Sequence, residues 1–129
     1  GDRSTTIGSN AHANGANSTA VGAGSATNAA NTTAVGSNAS ANHANSVAIG
    51  DNTATTKANS VAIGNRQITG VTAGVDNTDG VNVKQLKDGL ADTLTQANNY
   101  TDNVAKTTVE TRTQLNDEKS SDTMNKANA

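Results

Sequence analysis

His12 and His43 are the only imidazoles in this chain, which has no cysteine and a single tyrosine, so few of its side chains could serve as base, thiolate or soft metal ligand. A nucleophilic triad needs its base beside the nucleophile. The separation of the two histidines is not a whole number of the sequence periods described below, so they fall out of register and read as solvated loop residues. The sharper alternative is a metal held by one histidine together with its symmetry mates, since three imidazoles can make a site. Asp51, Asp76 and Asp79 are scattered, without the order of a calcium loop or the recurring carboxylate pair that glycan cleavage requires. Gly22-Ala23-Gly24 has neither the third glycine nor the following helix of a nucleotide-binding turn. Four Asn-x-Ser/Thr sequons, at Asn17, Asn31, Asn38 and Asn99, are what so Asn- and Thr-rich a composition yields by chance. No catalytic constellation, cofactor site or metal site is expected, and the chain reads as a non-enzyme.

Nucleic-acid binding is equally unsupported, because the net charge is -2, the pI is near 5.5 and aromatic residues are nearly absent. Leu, Ile, Val and Phe together number 18 of 129 residues, about 14%, which is below the level at which a chain ordinarily buries its own core. Proline is absent, however, and the branched residues keep strict intervals, which a disordered chain has no reason to do. A thin core combined with strict period implies a repeat fold that completes its burial against copies of itself. No apolar run approaches the length of a membrane span, so an export signal and membrane anchor are expected outside this stretch.

The period is carried by five pentapeptides, Ser4–Gly8, Ser18–Gly22, Thr32–Gly36, Ser46–Gly50 and Ser60–Gly64, each ending in a branched residue and glycine. The glycines Gly8, Gly22, Gly36, Gly50 and Gly64 follow one another at a constant step of fourteen, and the pairs Ala16-Asn17, Ala30-Asn31, Ala44-Asn45 and Ala58-Asn59 keep the same step. Ile7, Val21, Val35, Ile49 and Ile63 share parity with the residue two before each, so both point to one face of a short strand, read here as the repeat core. Small residues at alternate positions, Ala11 and Ala13, Ser25 and Thr27, Ala39 and Ala41, Thr53 and Thr55, fit a second, thinner strand. Each repeat unit is then one rung of a coil with glycine at its corner, and five rungs at ~4.8 Å make a column roughly 24 Å tall. A helix is excluded by the Thr, Asn, Ser and Gly content and the lack of a helical apolar stripe.

These residues carry a resemblance: the Ser-Val-Ala-Ile-Gly repeat resembles the head of YadA-like trimeric autotransporter adhesins. The resemblance implies a left-handed parallel β-roll, three copies of which pack round a common axis. It continues past residue 64. Asn65-Arg66-Gln67-Ile68, closed by Asp79-Gly80-Val81-Asn82-Val83-Lys84-Gln85-Leu86, is similar to the family's neck, with Gly80 where the family often has alanine. A neck passes the chain from a wide roll to a narrow coiled coil.

Thr78 or Asp79 is the expected N-cap of the helix that follows. Apolar residues Val83, Leu86, Leu90, Leu94, Ala97, Tyr100, Val104 and Leu115 recur there at steps of mainly three and four. Of the twenty charged residues, thirteen lie between 84 and 129 and four between 1 and 64, so two materials meet at a sharp boundary. A further echo pairs Tyr100 with Leu115 and Asp102 with Asp117. Spread over four turns, that step corresponds to roughly 3.75 residues per turn, above the straight-helix value, and predicts a right-handed or nearly straight coil. Asn99-Tyr100-Thr101-Asp102 resembles the stalk repeat of the same family. About 50 residues at ~1.5 Å each give a stalk near 75 Å, with Ser120 to Ala129 expected to fray.

The sequence therefore predicts a β-solenoid plus coiled coil: a trimeric left-handed parallel β-roll head over 1–64, a neck over 65–85 and a parallel three-stranded coiled-coil stalk over 86–129, with Leu90, Ala97, Tyr100 and Val104 in the stalk core. The resemblance implies a homotrimer on the bacterial surface that attaches to extracellular matrix proteins, host cells or other bacteria, through residues the motif does not identify. Two alternatives stand beside it: a structural spacer within a longer surface fibre, and a phage tail fibre.

Overall fold

The computed structural model describes residues 1–128, which form two compact units, Gly1–Ile68 and a second beginning at Thr69. The first unit is a parallel β-solenoid. Strands β1 (Thr5–Ile7), β3 (Thr19–Val21), β5 (Thr33–Val35), β7 (Val47–Ile49) and β8 (Val61–Ala62) form one sheet in that order. Strands β2 (His12–Ala13), β4 (Ala26–Thr27) and β6 (Ser40–Ala41) form the other, and a bridge from Ser40 to Ala54 extends it. Every pairing keeps the step of the sequence repeat, joining Thr5 with Thr19, Ala20 with Ala34 and Val47 with Val61. The second unit contains α1 (Val83–Ala127), a helix of 45 residues.

Within the single chain the coil's interior is not built from the branched residues read as the repeat core. Ile7, Val35 and Ile49 are exposed in the single chain, at 58%, 40% and 48%, and Val21 and Ile63 are only half-buried. The middle residues of the same strands, Ala20, Ala34 and Ala48, are wholly buried instead. Alternation along a strand separates two faces but does not say which is inside. The two sheets are joined by corners so short that only small side chains fit between them, and the largest fully buried ones are Thr27, Thr32 and Thr53. The second strand behaves as its spacing predicts: Ala13, Ser25, Thr27, Ala39, Ala41, Thr53 and Thr55 are buried, and Ala11 is half-buried.

A core of alanine, serine and threonine is stable only if each hydroxyl is satisfied. Ser18 Oγ donates to the Gly15 carbonyl at 2.6 Å and accepts from Thr27 Oγ1 at 2.7 Å. Thr32 donates likewise to the Ala29 carbonyl at 2.7 Å and Ser25 to the Gly22 carbonyl at 2.8 Å, and Ser46 donates to the His43 carbonyl. Among the described residues no buried side-chain nitrogen or oxygen lacks a partner.

The corners use two kinds of positive-φ residue. At Gly22 φ is 128°, and a Cβ there would lie 2.5 Å from the Gly36 carbonyl oxygen, so the stacked rungs leave no room for a side chain. Asparagine occupies the left-handed positions proper, Asn17, Asn31, Asn45 and Asn59 in one register and Asn10, Asn38 and Asn52 in the second. Gly24, at φ 69°, takes the second register's place in its own rung, which accounts for the Gly-Ala-Gly run. The outward amides form ladders. Asn17 donates to Asn31, Asn31 to Asn45 and Asn45 to Asn59 at 3.1–3.2 Å, with Arg3 Nε at the head donating to Asn17 at 2.7 Å. A second ladder runs Asn14 to Asn28 to Asn42 at 3.0 and 2.6 Å. Identical side chains stacked in register saturate one another in this way.

Gly8, Gly22, Gly36 and Gly50 turn with φ between 109° and 132°, but Gly64 sits at 61°. The fifth pentapeptide pairs only through Val61 and Ala62. The chain leaves the coil before completing a fifth corner, so Gly64 is not the equivalent of the other four.

Candidate adhesive surfaces and neck

The outward face of the first sheet carries Thr5 and Ile7, Thr19 and Val21, Thr33 and Val35, Val47 and Ile49, then Val61, which is 63% exposed. It is a continuous stripe of branched side chains on a solenoid that is otherwise small and polar. The corners bear the asparagine ladders, and the outward face of the second sheet bears His12, Ala26 and Ser40. His12 Nδ1 lies 2.7 Å from the Asn10 carbonyl, and His43 Nδ1 lies 3.2 Å from Thr55 Oγ1. The two histidines are not brought together, and no group of three or more His, Cys, Asp or Glu among the described residues is placed to hold a metal ion.

Four neck residues, Asn65, Arg66, Gln67 and Ile68, belong to the solenoid unit. Asn65 is left-handed at φ 50°, and Arg66 folds back onto the last rung, donating to Thr53 Oγ1 and to the carbonyls of Asp51, Ile63 and Gly64 at 3.0–3.2 Å. Gln67 and Ile68 are exposed.

In the second unit the helix begins at Val83, three positions before the expected stalk boundary, and its N-cap is Asn82 rather than Thr78 or Asp79. Asn82 Oδ1 accepts from the Gln85 amide at 2.9 Å, while Gln85 Oε1 accepts from the Asn82 amide at 3.1 Å, a reciprocal capping box. Gln85 does more: its Oε1 accepts from Gly74 N and its Nε2 donates to Gly74 O, both at 2.8 Å, so one side-chain amide pairs with a backbone peptide as a neighbouring strand would. Asn82 Nδ2 adds a bond to the Val71 carbonyl at 3.1 Å. The extended segment 71–74 is thus fastened to the helix start by two amide side chains. Val81 and Leu86 flank this point and are exposed.

Asp79 closes a separate turn. Its Oδ2 accepts from the Val75 and Asp76 amides at 3.0 Å, and its own amide donates to the Asp76 carbonyl at 3.0 Å. The bonds from the Asp76 and Val75 amides favour the ionised form and hold the carboxyl below its ordinary value of 3.8. A lowered folded-state pKa stabilises the turn fully above the unfolded value, and that contribution is lost as pH falls through the folded one. In an NMR titration the Val75 and Asp76 amide signals should therefore move together with a midpoint below 3.8; Asp79→Asn should abolish that titration.

No residue of α1 is buried, and Leu86, Leu90, Leu94, Tyr100 and Val104 are all exposed, as are Val83 and Ala97. Its ion pairs, Lys84–Asp88, Lys106–Glu110 and Lys126–Asp122, are solvent-exposed i,i+4 contacts worth about 0.2–0.5 kcal/mol each. Helical bonding continues through the segment expected to fray, as far as Ala127, where the Asn128 amide donates to Met124 O at 3.0 Å; Ala129 lies outside the described residues. No helix among the described residues is long and apolar enough to cross a membrane.

One unit is a solenoid of near-identical rungs, and the other contains a 45-residue helix without one buried residue. Two family models match the chain. One, described as "YadA head domain repeat (2 copies)", covers residues 1–25, 28–53 and 44–66, and the other, "Coiled stalk of trimeric autotransporter adhesin", covers residues 67–109. The chain belongs to the YadA-like trimeric autotransporter adhesins, and that family places it on the bacterial surface. Among solved structures it is similar to the collagen-binding domain of the Yersinia adhesin YadA, with 30% identity over 68% of this chain and 75% of that one and a TM-score of 0.39. No curated protein is matched.

Proposed function

We propose that this chain is the head, neck (65–85) and upper stalk of a homotrimeric adhesin that attaches the bacterium to extracellular matrix proteins or to host and bacterial surfaces, its outer-membrane anchor lying in another part of the protein. The observation that carries the reading is the uncovered apolar stripe of the first sheet, together with a helix whose apolar residues are all exposed. Contiguous exposed apolar surface of this kind marks an interaction site, and association of three copies of the chain would cover it.

Packing the first sheet inward leaves the ladders and the second sheet outward. That surface offers the same small polar groups at every rung, and it suits a ligand that is itself repetitive, bound through many weak contacts and multiplied by three-fold avidity. The domain boundaries and the absence of catalysis belong to the same reading.

The test is binding of the intact chain to immobilised collagen, fibronectin and whole cells, beside a double variant, Asn28→Glu with Asn42→Glu. Both positions are exposed and lie in one ladder, so the variant should lose most of the signal while keeping the parent's mass in solution. Absence of saturable binding to any of these surfaces would overturn adhesion by this fragment and favour the spacer reading.

A further inference from the structure

Rungs of the solenoid hand backbone bonds to one another in a fixed pattern: Gly24 N donates to Ser9 O, Asn38 N to Ala23 O and Asn52 N to Ser37 O, at 2.8–2.9 Å. The next member of that series would be residue 66 donating to Asp51 O. Arg66 does serve that carbonyl, but with a side-chain nitrogen: Nη2 donates to Asp51 O at 3.0 Å. Its Nη1 donates to Ile63 O and Thr53 Oγ1 at 3.0 Å and to Gly64 O at 3.2 Å.

The stacking geometry says the same. At the earlier corners a Cβ on Gly22 would meet the Gly36 peptide at 2.5–2.6 Å, and one on Gly36 would meet the Gly50 peptide at 2.6–2.7 Å. At Gly50 the succession of peptides stops, and a Cβ would instead meet Arg66 Nη1 at 2.6 Å and Cζ at 2.7 Å. A flat guanidinium occupies the space that the next rung's flat peptide group fills elsewhere.

We propose that Arg66 is the terminal cap of the solenoid, a peptide mimic that satisfies the carbonyls of the last rung and shuts its open edge against a further strand. Repeat arrays need such an end piece because the last unit lacks a neighbour, and an uncapped strand edge pairs with other chains. Arginine suits the task since its planar fork reaches several acceptors at once, which a lysine ammonium cannot do in the same plane.

Amide hydrogen exchange on the intact 129-residue chain tests this. Arg66→Ala should speed exchange at Asn52, Thr53 and Thr55 by about tenfold or more, because the acceptors of the last rung lose their donors, while amides of β3 and β5 change little. Arg66→Lys should recover only part of the protection. Light scattering at rising concentration should show Arg66→Ala alone gaining mass beyond the parent's. Unchanged exchange in the last rung, a loss spread evenly over all rungs, or full recovery by lysine would each overturn the cap; constant mass would overturn the edge-closing role.

Discussion

Val35→Asp combined with Ile49→Asp is expected to bring the mass in solution down from three chains of 12.8 kDa to one. Both side chains lie on the outward face of the first sheet and are 40% and 48% exposed in the single chain, so neither holds up the solenoid's interior. Buried in a trimer, each would gain roughly 1.5–3 kcal/mol. Replacing them with carboxylates forfeits that gain in every copy and places six like charges round one axis, and a desolvated unpaired charge costs several kcal/mol more. The rungs themselves should persist, because Ala34 and Ala48 point the other way and the ladder amides are untouched. Light scattering gives the mass and circular dichroism the strand signal. A trimer that survives the double variant would show that the stripe is not the subunit interface.

The repeat was readable because translation by a fixed step is a property of sequence and of structure alike: every pairing from Thr5–Thr19 to Ala48–Ala62 follows it. The identity of the interior was not readable from the same pattern. Alternation puts Ile49 and Ala48 on opposite faces, and habit assigns the larger residue to the core. Here the width between the sheets decides, and it admits alanine and threonine but not isoleucine. Asn82 was legible in principle, since Asn-x-x-Gln immediately before an apolar run is the signature of a capping box. Asp79 offers another good capping side chain a turn too early and is spent on Val75 and Asp76. The fastening of Gln85 to Gly74 and the seat of Arg66 rest on side chains folding back onto distant parts of the chain, which no local period encodes. Their only trace was arithmetic: position 66 is one period after Asn52, as Gly24 is one period after Asn10.

Gly22→Ala is expected to unfold the head or leave it barely stable. The backbone at Gly22 has φ of 128°, far from the 56–59° at which asparagine sits in the neighbouring corners. Holding an alanine there costs about 1–3 kcal/mol in strain alone. Its Cβ would also meet the Gly36 carbonyl oxygen at 2.5 Å, and the clash is with backbone, which cannot rotate away. Relief requires separating two rungs, and separation breaks bonds such as Gly36 N to Val21 O at 2.8 Å along the whole stack. A solenoid shares its stability between neighbours, so damage at one interface splits the column instead of denting it. Ala23→Ser, one residue on and exposed, adds an atom without touching the stack and should leave the melting temperature within a degree or two. Thermal melts of the two variants compare these directly; a Gly22→Ala protein as stable as Ala23→Ser would mean that the rungs slide past the added methyl and that corner contact does not set the spacing of the coil.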